Sequence, residues 1–311
     1  MPKFDPTPET PLTFYRVGTV HPSPPDPRDH VMPLRLPAAL PAEYVQPQPP
    51  VRNQGAWGAC GAFGAICALE YEYAKAGQSF DGSEQFQYAE TRRLQNNSPC
   101  EDFGSYPREA MRVLTEIGAV TESRMPYQSE GLCWRPNDLL RNEASSRRAV
   151  EYFKPQPFRD AVKAALYGTT GHDGHVLAYC CLVYQNFEPD ASGTLPAPSG
   201  SVMGGHWMEL VGWSEQRQAY RVRNQWGAGW GDGGYCWIRY RDAELPSDRG
   251  GMWIEDAWAV RTALQPPPPP EPQPEPFGPP PPPDTAERYW FDRGFNYCYC
   301  KHVDPDNAGC R

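Results

Sequence analysis

The stretch VRNQGAWGACGAFG, residues 51–64, decides how this chain is interpreted. Its cysteine, Cys60, opens a run of small and apolar residues at helical spacing, which predicts a helix over residues 60–76 that ends before Gly77. A cysteine at a helix start lies beside unpaired backbone N–H groups and the positive end of the helix dipole. Both favour the thiolate, so Cys60 is a candidate nucleophile.

Two later motifs supply the groups that such a nucleophile requires. GGHWMELVG, residues 204–212, places His206 at the start of an apolar strand. RNQWGAGWG, residues 223–231, contains Asn224 and Trp226 in a frame rich in glycine and tryptophan. A thiol, an imidazole and an amide in this chain order are the parts of a cysteine acyl-transfer site.

Each of these residues has a predicted role in that chemistry. His206 would take the proton of Cys60, and Asn224 would hold the imidazole in one tautomer. Trp226 would shield the bond between His206 and Asn224 from water. The backbone N–H of Cys60 and the side-chain amide of Gln54, six positions earlier, would donate hydrogen bonds to the developing oxyanion.

The order of periodic segments indicates the fold class. Further helices are predicted over residues 105–117 and 158–167. The later part of the chain has alternating apolar segments between turn residues, which predict strands over residues 175–184, 206–213, 219–224, 235–240 and 256–260. Helices followed by strands favour an α+β domain with a helical half and a sheet half.

The 38 prolines are concentrated toward the two ends of the 311 residues, and their distribution separates four regions. Residues 1–50 are predicted to form an extended, proline-punctuated arm, because prolines exclude a long helix there. Residues 51–264 carry the globular pattern. Residues 265–283 are a proline run, for which a stiff polyproline II spacer is expected, and residues 284–311 form a short tail that contains cysteines.

Composition and charge exclude several classes of function. Hydrophobic residues make up 39% of the chain, enough for a sizeable core, and the net charge is -9 without a basic stripe. This acidic balance argues against nucleic acid or an anionic membrane as the main partner. No apolar run approaches the roughly 18 residues that a membrane-spanning helix needs. The first residues lack an apolar signal segment, so we expect a cytoplasmic protein or one exported without a cleaved signal.

Together the motifs resemble the papain-like cysteine peptidases over roughly residues 40–262. The resemblance rests on residues 53–63, the tripeptide at 83–85, residues 205–212 and residues 224–235. It is nearest to bacterial members with a short N-terminal arm, since a similar arm here contains PDPRD at residues 25–29.

The resemblance implies a fold, a reaction and a set of residues. The implied fold has a helical left lobe and a β-barrel-like right lobe, with the active site in the cleft between them. The implied reaction is hydrolysis of a protein or peptide substrate through a thioester, without a metal or organic cofactor. In it, Cys60 is the nucleophile, His206 the base and acid, Asn224 the orienting residue and Gln54 an oxyanion donor.

Several positions depart from the family pattern and bear on the substrate pocket. Gly61 stands where the family usually has a tryptophan, and Trp57 where a cysteine is frequent. The glycine pair that binds substrate backbone is replaced around residues 102–104. Gly104, Trp226 and Glu255 are candidate pocket residues, and a carboxylate at Glu255 would favour Arg or Lys in the substrate. The family also places cystines near Cys100 and Cys133, so a bridge between these two remains open.

Other hypotheses stay open at this point. The chain could be an inactive interaction protein on a papain fold that acts through a partner of its proline-rich tail. It could also transfer acyl groups to amines, as transglutaminase-like enzymes do, although those usually have an aspartate where Asn224 stands. The N-terminal arm is a candidate cover for the cleft, and the sequence leaves the oligomeric state undetermined.

A few further residues carry weaker expectations. Glu209 is expected at a lobe edge rather than in catalysis, and His175 on the surface or in a loop. Cys67 and at least one of Cys180 and Cys181 are expected in the core. Four tail residues could bind zinc, with a disulfide or an unstructured tail as alternatives: Cys298, Cys300, His302 and Cys310.

Overall fold

The computed structural model describes residues 23–24, 26–27, 29–32, 36–37, 39–98, 100–128, 131–246 and 256–264. The chain divides into two units, Met1–Pro266 and Pro267–Arg311, and every described residue belongs to the first. The proline run, the tail with its four candidate zinc ligands, and Glu255 all lie outside the described residues.

Four helices form the first part of the fold: α1 (Cys60–Lys75), α2 (Glu84–Leu94), α3 (Pro107–Glu116) and α4 (Asp138–Ala144). Helix α1 confirms the helix predicted over residues 60–76. The helix predicted from residue 105 begins two residues later, because Tyr106 is extended and Pro107 occupies the first turn, where its missing N–H has no partner to lose. Helix α2 was not predicted, although Ser83 caps it by accepting a hydrogen bond from the backbone N–H of Phe86 at 3.1 Å.

The described strands form one antiparallel sheet: β1 (Glu43–Val45), β2 (Glu151–Phe153), β3 (Leu177–Tyr184), β4 (Val202–Ser214), β5 (Ala219–Arg223), β6 (Tyr235–Arg239) and β7 (Ala257–Arg261). The strand order is β2-β7-β3-β4-β5-β6, with β1 paired to β4 as well. Two further helices, α5 (Arg159–Tyr167) and α6 (Tyr240–Ala243), accompany the sheet. The α+β class and all five predicted strands are confirmed, but among the described strands the sheet is open rather than a closed barrel.

Strand β4 is the long central strand, and it changes partner along its length. Strand β3 pairs with it as far as Leu210, and β1 pairs with it from Gly212 to Ser214. A bulge against β5 lies at the changeover, between Leu210 and Gly212. A Cβ atom at Gly212 would lie 2.2 Å from the Tyr44 carbonyl oxygen, so only glycine lets β1 approach this closely.

Helix α1 packs between the helices and the sheet and is buried from Cys60 to Glu72. One core cluster joins its inner face to β3, β4 and β7, and includes Cys60, Cys180, Trp207 and Trp258. A second cluster fills the other face of the sheet. Cys67 and Cys180 are buried as expected, and so is Cys181.

Two polar residues lie in the interior. His175 is in the loop that precedes β3, one of its two expected places, but it is buried, and its Nδ1 lies 2.9 Å from Glu72 of α1 and 3.4 Å from Lys75. Glu209 is also fully buried rather than at a lobe edge, and it pairs with Arg223 on the neighbouring strand. In both cases a charged partner from another element makes burial tolerable, and sequence periodicity does not reveal such partners.

The described residues of the N-terminal arm contact the rest of the chain. Asp29 forms a two-armed ion pair with Arg108 of α3, at 2.6 and 2.7 Å, and both side chains are buried. The backbone N–H of Ser23 donates to Asp256 at 2.8 Å, and the Ser23 hydroxyl accepts from the backbone of Arg108. None of the helices in the described ranges has the length and apolar character needed to cross a bilayer.

Candidate active site

Cys60 lies at the first position of α1, against the start of β4. The backbone N–H groups of Trp207, Gly61 and Cys60 itself act on its thiol and lower the thiol pKa. Trp207 follows His206 directly, so the packing of α1 on β4 places Cys60 against the strand that carries the predicted histidine. Cys60 has no exposed surface.

His206 and Asn224 form the hydrogen bond that the sequence predicted. His206 Nε2 lies 2.9 Å from Asn224 Oδ1. The same Oδ1 accepts the backbone N–H of Gln225 at 2.8 Å, which identifies it as the oxygen. His206 Nε2 must therefore carry the proton, and Nδ1 is left with a free lone pair. Nδ1 has no hydrogen-bond partner among the described residues, so this tautomer presents a base.

Trp226 covers this pair. Its ring stacks on the His206 imidazole with centroids 4.7 Å apart and planes inclined by 28°. Trp226 is fully buried and packs in turn on Phe187 and Trp230. The ring therefore covers one face of the imidazole that bonds to Asn224, where the sequence predicts shielding from water, and the candidate role of Trp226 in the substrate pocket stays a prediction.

Gln54 is tied to the same region through the backbone. Its N–H donates to the carbonyl of Gln225 at 2.9 Å, and its neighbour Asn53 forms a bridge with Trp226. The Gln54 side chain is buried, and its Nε2 donates to the Trp57 carbonyl at 2.8 Å. One of the two N–H bonds of Nε2 is thereby used, and the predicted role of the other as an oxyanion donor stays a prediction.

The loop that holds Gly104 is fixed beside the start of α1. Asp102 accepts the Gly58 N–H with both oxygens, at 3.1 and 2.9 Å, and also the hydroxyl of Tyr88. The Tyr88 hydroxyl accepts the N–H of Gly104 at 3.2 Å. A disulfide between Cys100 and Cys133 anchors this loop, so the bridge that was left open is present.

Burial sets the protonation of the resting site. It raises the pKa of the Cys60 thiol to about 12, although the three backbone N–H groups oppose the shift. Burial also lowers the pKa of His206 to about 4, against the effect of its bond to Asn224. The expected thiolate is therefore not the resting form. The backbone amides of Gly61 and Cys60 at the start of α1 lower the pKa of the thiol, but loss of hydration outweighs them, and burial favours the neutral forms of both cysteine and histidine.

Sequence reasoning missed two groups at the site. The Trp207 N–H, which lowers the pKa of the thiol, belongs to a residue whose side chain is buried in the core, and no sequence signal identifies a backbone group. Ser105 lies next to Gly104, and its hydroxyl approaches Gly61, the residue after the nucleophile. The absence of a side chain at Gly61 was the available signal, but its counterpart could not be located without the fold.

A thiol at a helix start, a histidine on an adjoining strand and an asparagine that fixes its tautomer define the class of cysteine-dependent acyl-transfer proteins. Residues 42–248, more than half of the chain, match the family model described as "Papain family cysteine protease". The chain belongs to the papain family of cysteine proteases.

Relatives and solved structures agree with this assignment. A "Cysteine protease" of Blomia tropicalis is 28% identical over 60% of this chain and 56% of its own length. Human "Cathepsin L2" is 29% identical over 61% of this chain and 56% of its own length. The chain thus spans little more than half of these relatives.

The structure of Xylellain, a cysteine protease from Xylella fastidiosa, superposes with a TM-score of 0.70 at 24% identity, and covers 80% of this chain and 98% of Xylellain. A cysteine protease from Carica candamarcensis gives a TM-score of 0.54 at 22% identity, and covers 72% of this chain and 99% of its own length. At these identities, the two structures establish the two-lobed papain-like fold.

Proposed function

We propose that this protein is a cysteine endopeptidase that hydrolyses peptide bonds through a thioester on Cys60. The observation that carries the proposal is the arrangement around His206. Its Nε2–H is held by Asn224 at 2.9 Å beneath the Trp226 ring, and the backbone N–H of the next residue, Trp207, lowers the pKa of the Cys60 thiol.

The first step is transfer of the Cys60 proton to His206 Nδ1. Both groups are neutral at rest because burial disfavours each charge. When the proton moves, the thiolate and the imidazolium attract each other, and this attraction offsets the cost of burying the two charges. The two ions therefore form together when substrate arrives. The thiolate then attacks the carbonyl carbon of the peptide bond, and its oxygen takes the negative charge.

The oxyanion and the leaving group complete the reaction. The N–H of Cys60 and the remaining N–H of Gln54 Nε2 would bind the oxyanion. The imidazolium returns its proton to the leaving amine as the C–N bond breaks and the thioester remains. A water molecule, deprotonated by Nδ1, then attacks the thioester, and the thiol is restored when His206 returns the proton.

Active-site labelling and cleavage profiling test this function. An epoxysuccinyl peptide should modify Cys60 alone, as located by mass spectrometry, and a diverse peptide library should be cleaved by wild type but not by C60A or C60S. The matched control is C67A, which removes a buried thiol seven residues along the same helix and should leave cleavage intact. Labelling spread evenly over several cysteines would contradict the proposal.

The same experiment separates the alternatives. Cys60 modification without cleavage of any peptide would favour an inactive relative that acts through a partner of residues 265–283. Incorporation of an amine into a peptide would favour acyl transfer, which the asparagine at position 224 argues against.

The arm has a proposed regulatory role. We propose that residues 1–38 restrain access to the site. Two observations support this: Cys60 has no exposed surface, and Asp29 is bound to Arg108, three residues after Ser105 at the site. Burial alone would raise the pKa of Asp29, but its bonds to Arg108 hold that pKa below the usual range, so the anchor is charged at neutral pH.

A further inference from the structure

The pairing of β4 with β5 stops just before the candidate site. Glu209 lies opposite Arg223, which is the last residue of β5. Two residues further in the same antiparallel register, residue 225 would lie opposite Trp207. Because β5 ends first, it does not supply a backbone partner for the Trp207 carbonyl at that position.

The side chain of Gln225 takes the place of the missing strand. It is buried, and its Nε2 donates a hydrogen bond to the Trp207 carbonyl. The backbone N–H of Gln225, which a continued strand would have used for this bond, donates instead to Asn224 Oδ1 at 2.8 Å. A side-chain amide thus extends the ladder by one bond, and the backbone amide is free to orient the residue that fixes the tautomer of His206.

Gln225 also reaches a third part of the site. Its carbonyl accepts the backbone N–H of Gln54 at 2.9 Å. One buried residue therefore bonds to Trp207 beside the nucleophile, to Asn224 and to the candidate oxyanion donor. Only the bond to Trp207 uses the side chain, so a substitution at position 225 removes it and keeps the two backbone bonds.

Trp207 connects this side-chain bond with the nucleophile. Its ring packs on the first turns of α1, where a Cβ atom at Gly61 or Gly64 would lie 3.5 or 3.0 Å from it, and it shares a core cluster with Cys60. The N–H and C=O of one residue in an antiparallel strand point to the same side. The bond at the Trp207 carbonyl therefore also fixes the direction of the Trp207 N–H, which lowers the pKa of the Cys60 thiol.

We propose that Gln225 is a positioning residue, whose side-chain amide holds the Trp207 carbonyl so that the Trp207 N–H stays directed at Cys60. The inference rests on the proposed peptidase function and deepens it. The N–H matters most when the thiol loses its proton, because a hydrogen bond to a charged group is stronger than one to a neutral group. Gln225 thereby acts on the nucleophile through the backbone of β4.

The test compares wild type with Q225M, which keeps the length of the side chain and removes its donor. The rate of Cys60 alkylation by iodoacetamide at pH 7 and 8, located by mass spectrometry, should fall about tenfold, the equivalent of one lost hydrogen bond to a charged group. The kcat for peptides should fall by a similar factor, with KM unchanged. The pKa of His206, followed by NMR, should also be unchanged, because the N–H of residue 225 still donates to Asn224.

The matched control is Q87M. Gln87 is also buried, and its Nε2 donates to the Ala110 carbonyl at 2.7 Å. This variant should lower the urea midpoint about as much as Q225M does and keep the wild-type alkylation rate. An unchanged rate in Q225M, or an equal fall in Q87M, overturns the inference. If Q225M does not fold, Q225S, which removes the buried amide, takes its place, and a failure of both to fold would limit Gln225 to a role in stability and overturn the inference as well.

The alkylation rates also separate this inference from the proposed function. A wild-type protein that is alkylated at Cys60 but cleaves no peptide would contradict the peptidase, while the rates of Q225M and wild type would still test Gln225. A wild-type protein that cleaves peptides, with equal alkylation rates in Q225M and wild type, would overturn the role of Gln225 alone.

Discussion

Glu209 and Arg223 face each other across β4 and β5, and their side chains approach to 3.6 Å in the interior of the protein. This ion pair is longer than a hydrogen bond, and neither oxygen of Glu209 has a hydrogen-bond partner among the described residues. Glu209 also interacts with Glu70, and both Cys67 and Tyr235 are affected by its charge. Burial raises the pKa of Glu209 to about 7, although Arg223 opposes the shift.

This raised pKa predicts a stability that falls as the pH rises. Between the usual glutamate value of 4.5 and the folded value of about 7, the folded state retains a proton that the unfolded state has lost. Stability should therefore decline through this window by up to about 1.4 kcal/mol per pH unit, with no penalty below it and the full penalty above it.

Urea unfolding of E209Q at pH 5, 6, 7 and 8 tests this expectation. In the variant, the free energy of unfolding should fall less steeply with pH than in wild type. Part of the fall should remain, because burial also raises the pKa of Glu84 to about 8. The control is E116Q, which alters an exposed pair with Arg112 and should keep the wild-type slope. Equal slopes in E209Q and wild type would show that Glu209 is ionised at pH 5.

Removal of the Asn224 side chain should impair catalysis without unfolding the protein. In N224A, His206 Nε2 loses its acceptor, and the ring no longer has one preferred tautomer. The kcat should fall on the order of a hundredfold, the lower end of what a positioned acid–base group contributes. The pKa of His206, followed by NMR titration, should fall further because the Asn224 bond raises it. N186A, which alters a solvent-exposed hydrogen bond to Ala197, should keep the wild-type kcat.

Deletion of residues 1–38 should raise the turnover of small peptide substrates. D29A should give part of the same gain, because it breaks the anchor to Arg108. The control is E109A, which removes an ion-pair partner of Arg112 on the same helix as Arg108. It should leave the turnover of small peptides unchanged. A shortened protein that is folded by circular dichroism and has unchanged or lower activity would refute the restraining role of the arm.

Loss of the disulfide between Cys100 and Cys133 should destabilise the protein and loosen the loop at the site. The bridge closes a segment of 33 residues, for which a stabilisation of about 2–4 kcal/mol is typical. C100S/C133S should therefore unfold at lower urea concentration and show reduced kcat/KM, since Asp102 and Gly104 lie in that loop. Reductant should lower the urea midpoint of wild type to that of the variant and leave the midpoint of the variant unchanged. A wild-type midpoint that does not respond to reductant would contradict this prediction.

The sequence predicted those parts of the fold that depend on local pattern. Helix α1 and strand β4 were predictable because apolar residues recur at the right spacing around Cys60 and His206. Helix α2 was missed because most of its buried residues are polar, among them Glu84, Gln87 and Glu90. Their partners come from other elements; Gln87, for example, donates to the Ala110 carbonyl at 2.7 Å.

The candidate site also has features that local sequence pattern predicts and features that depend on contacts between distant elements. Chain order and flanking glycines were enough to predict the bond between His206 and Asn224. The neutral state of Cys60 and the contact of Ser105 with Gly61 depend on how α1, α3 and β4 pack together. Burial and long-range contacts of this kind are absent from any single segment of sequence.

The full burial of Cys60 also bears on the chemical lifetime of the protein. Peroxides and disulfides react with thiolates, and burial, which raises the pKa of the Cys60 thiol, disfavours that form. A molecule that waits for substrate in this state is thus protected from sulfenic acid formation and from mixed disulfides. We therefore expect oxidation of the nucleophile to accompany substrate turnover rather than storage of the protein.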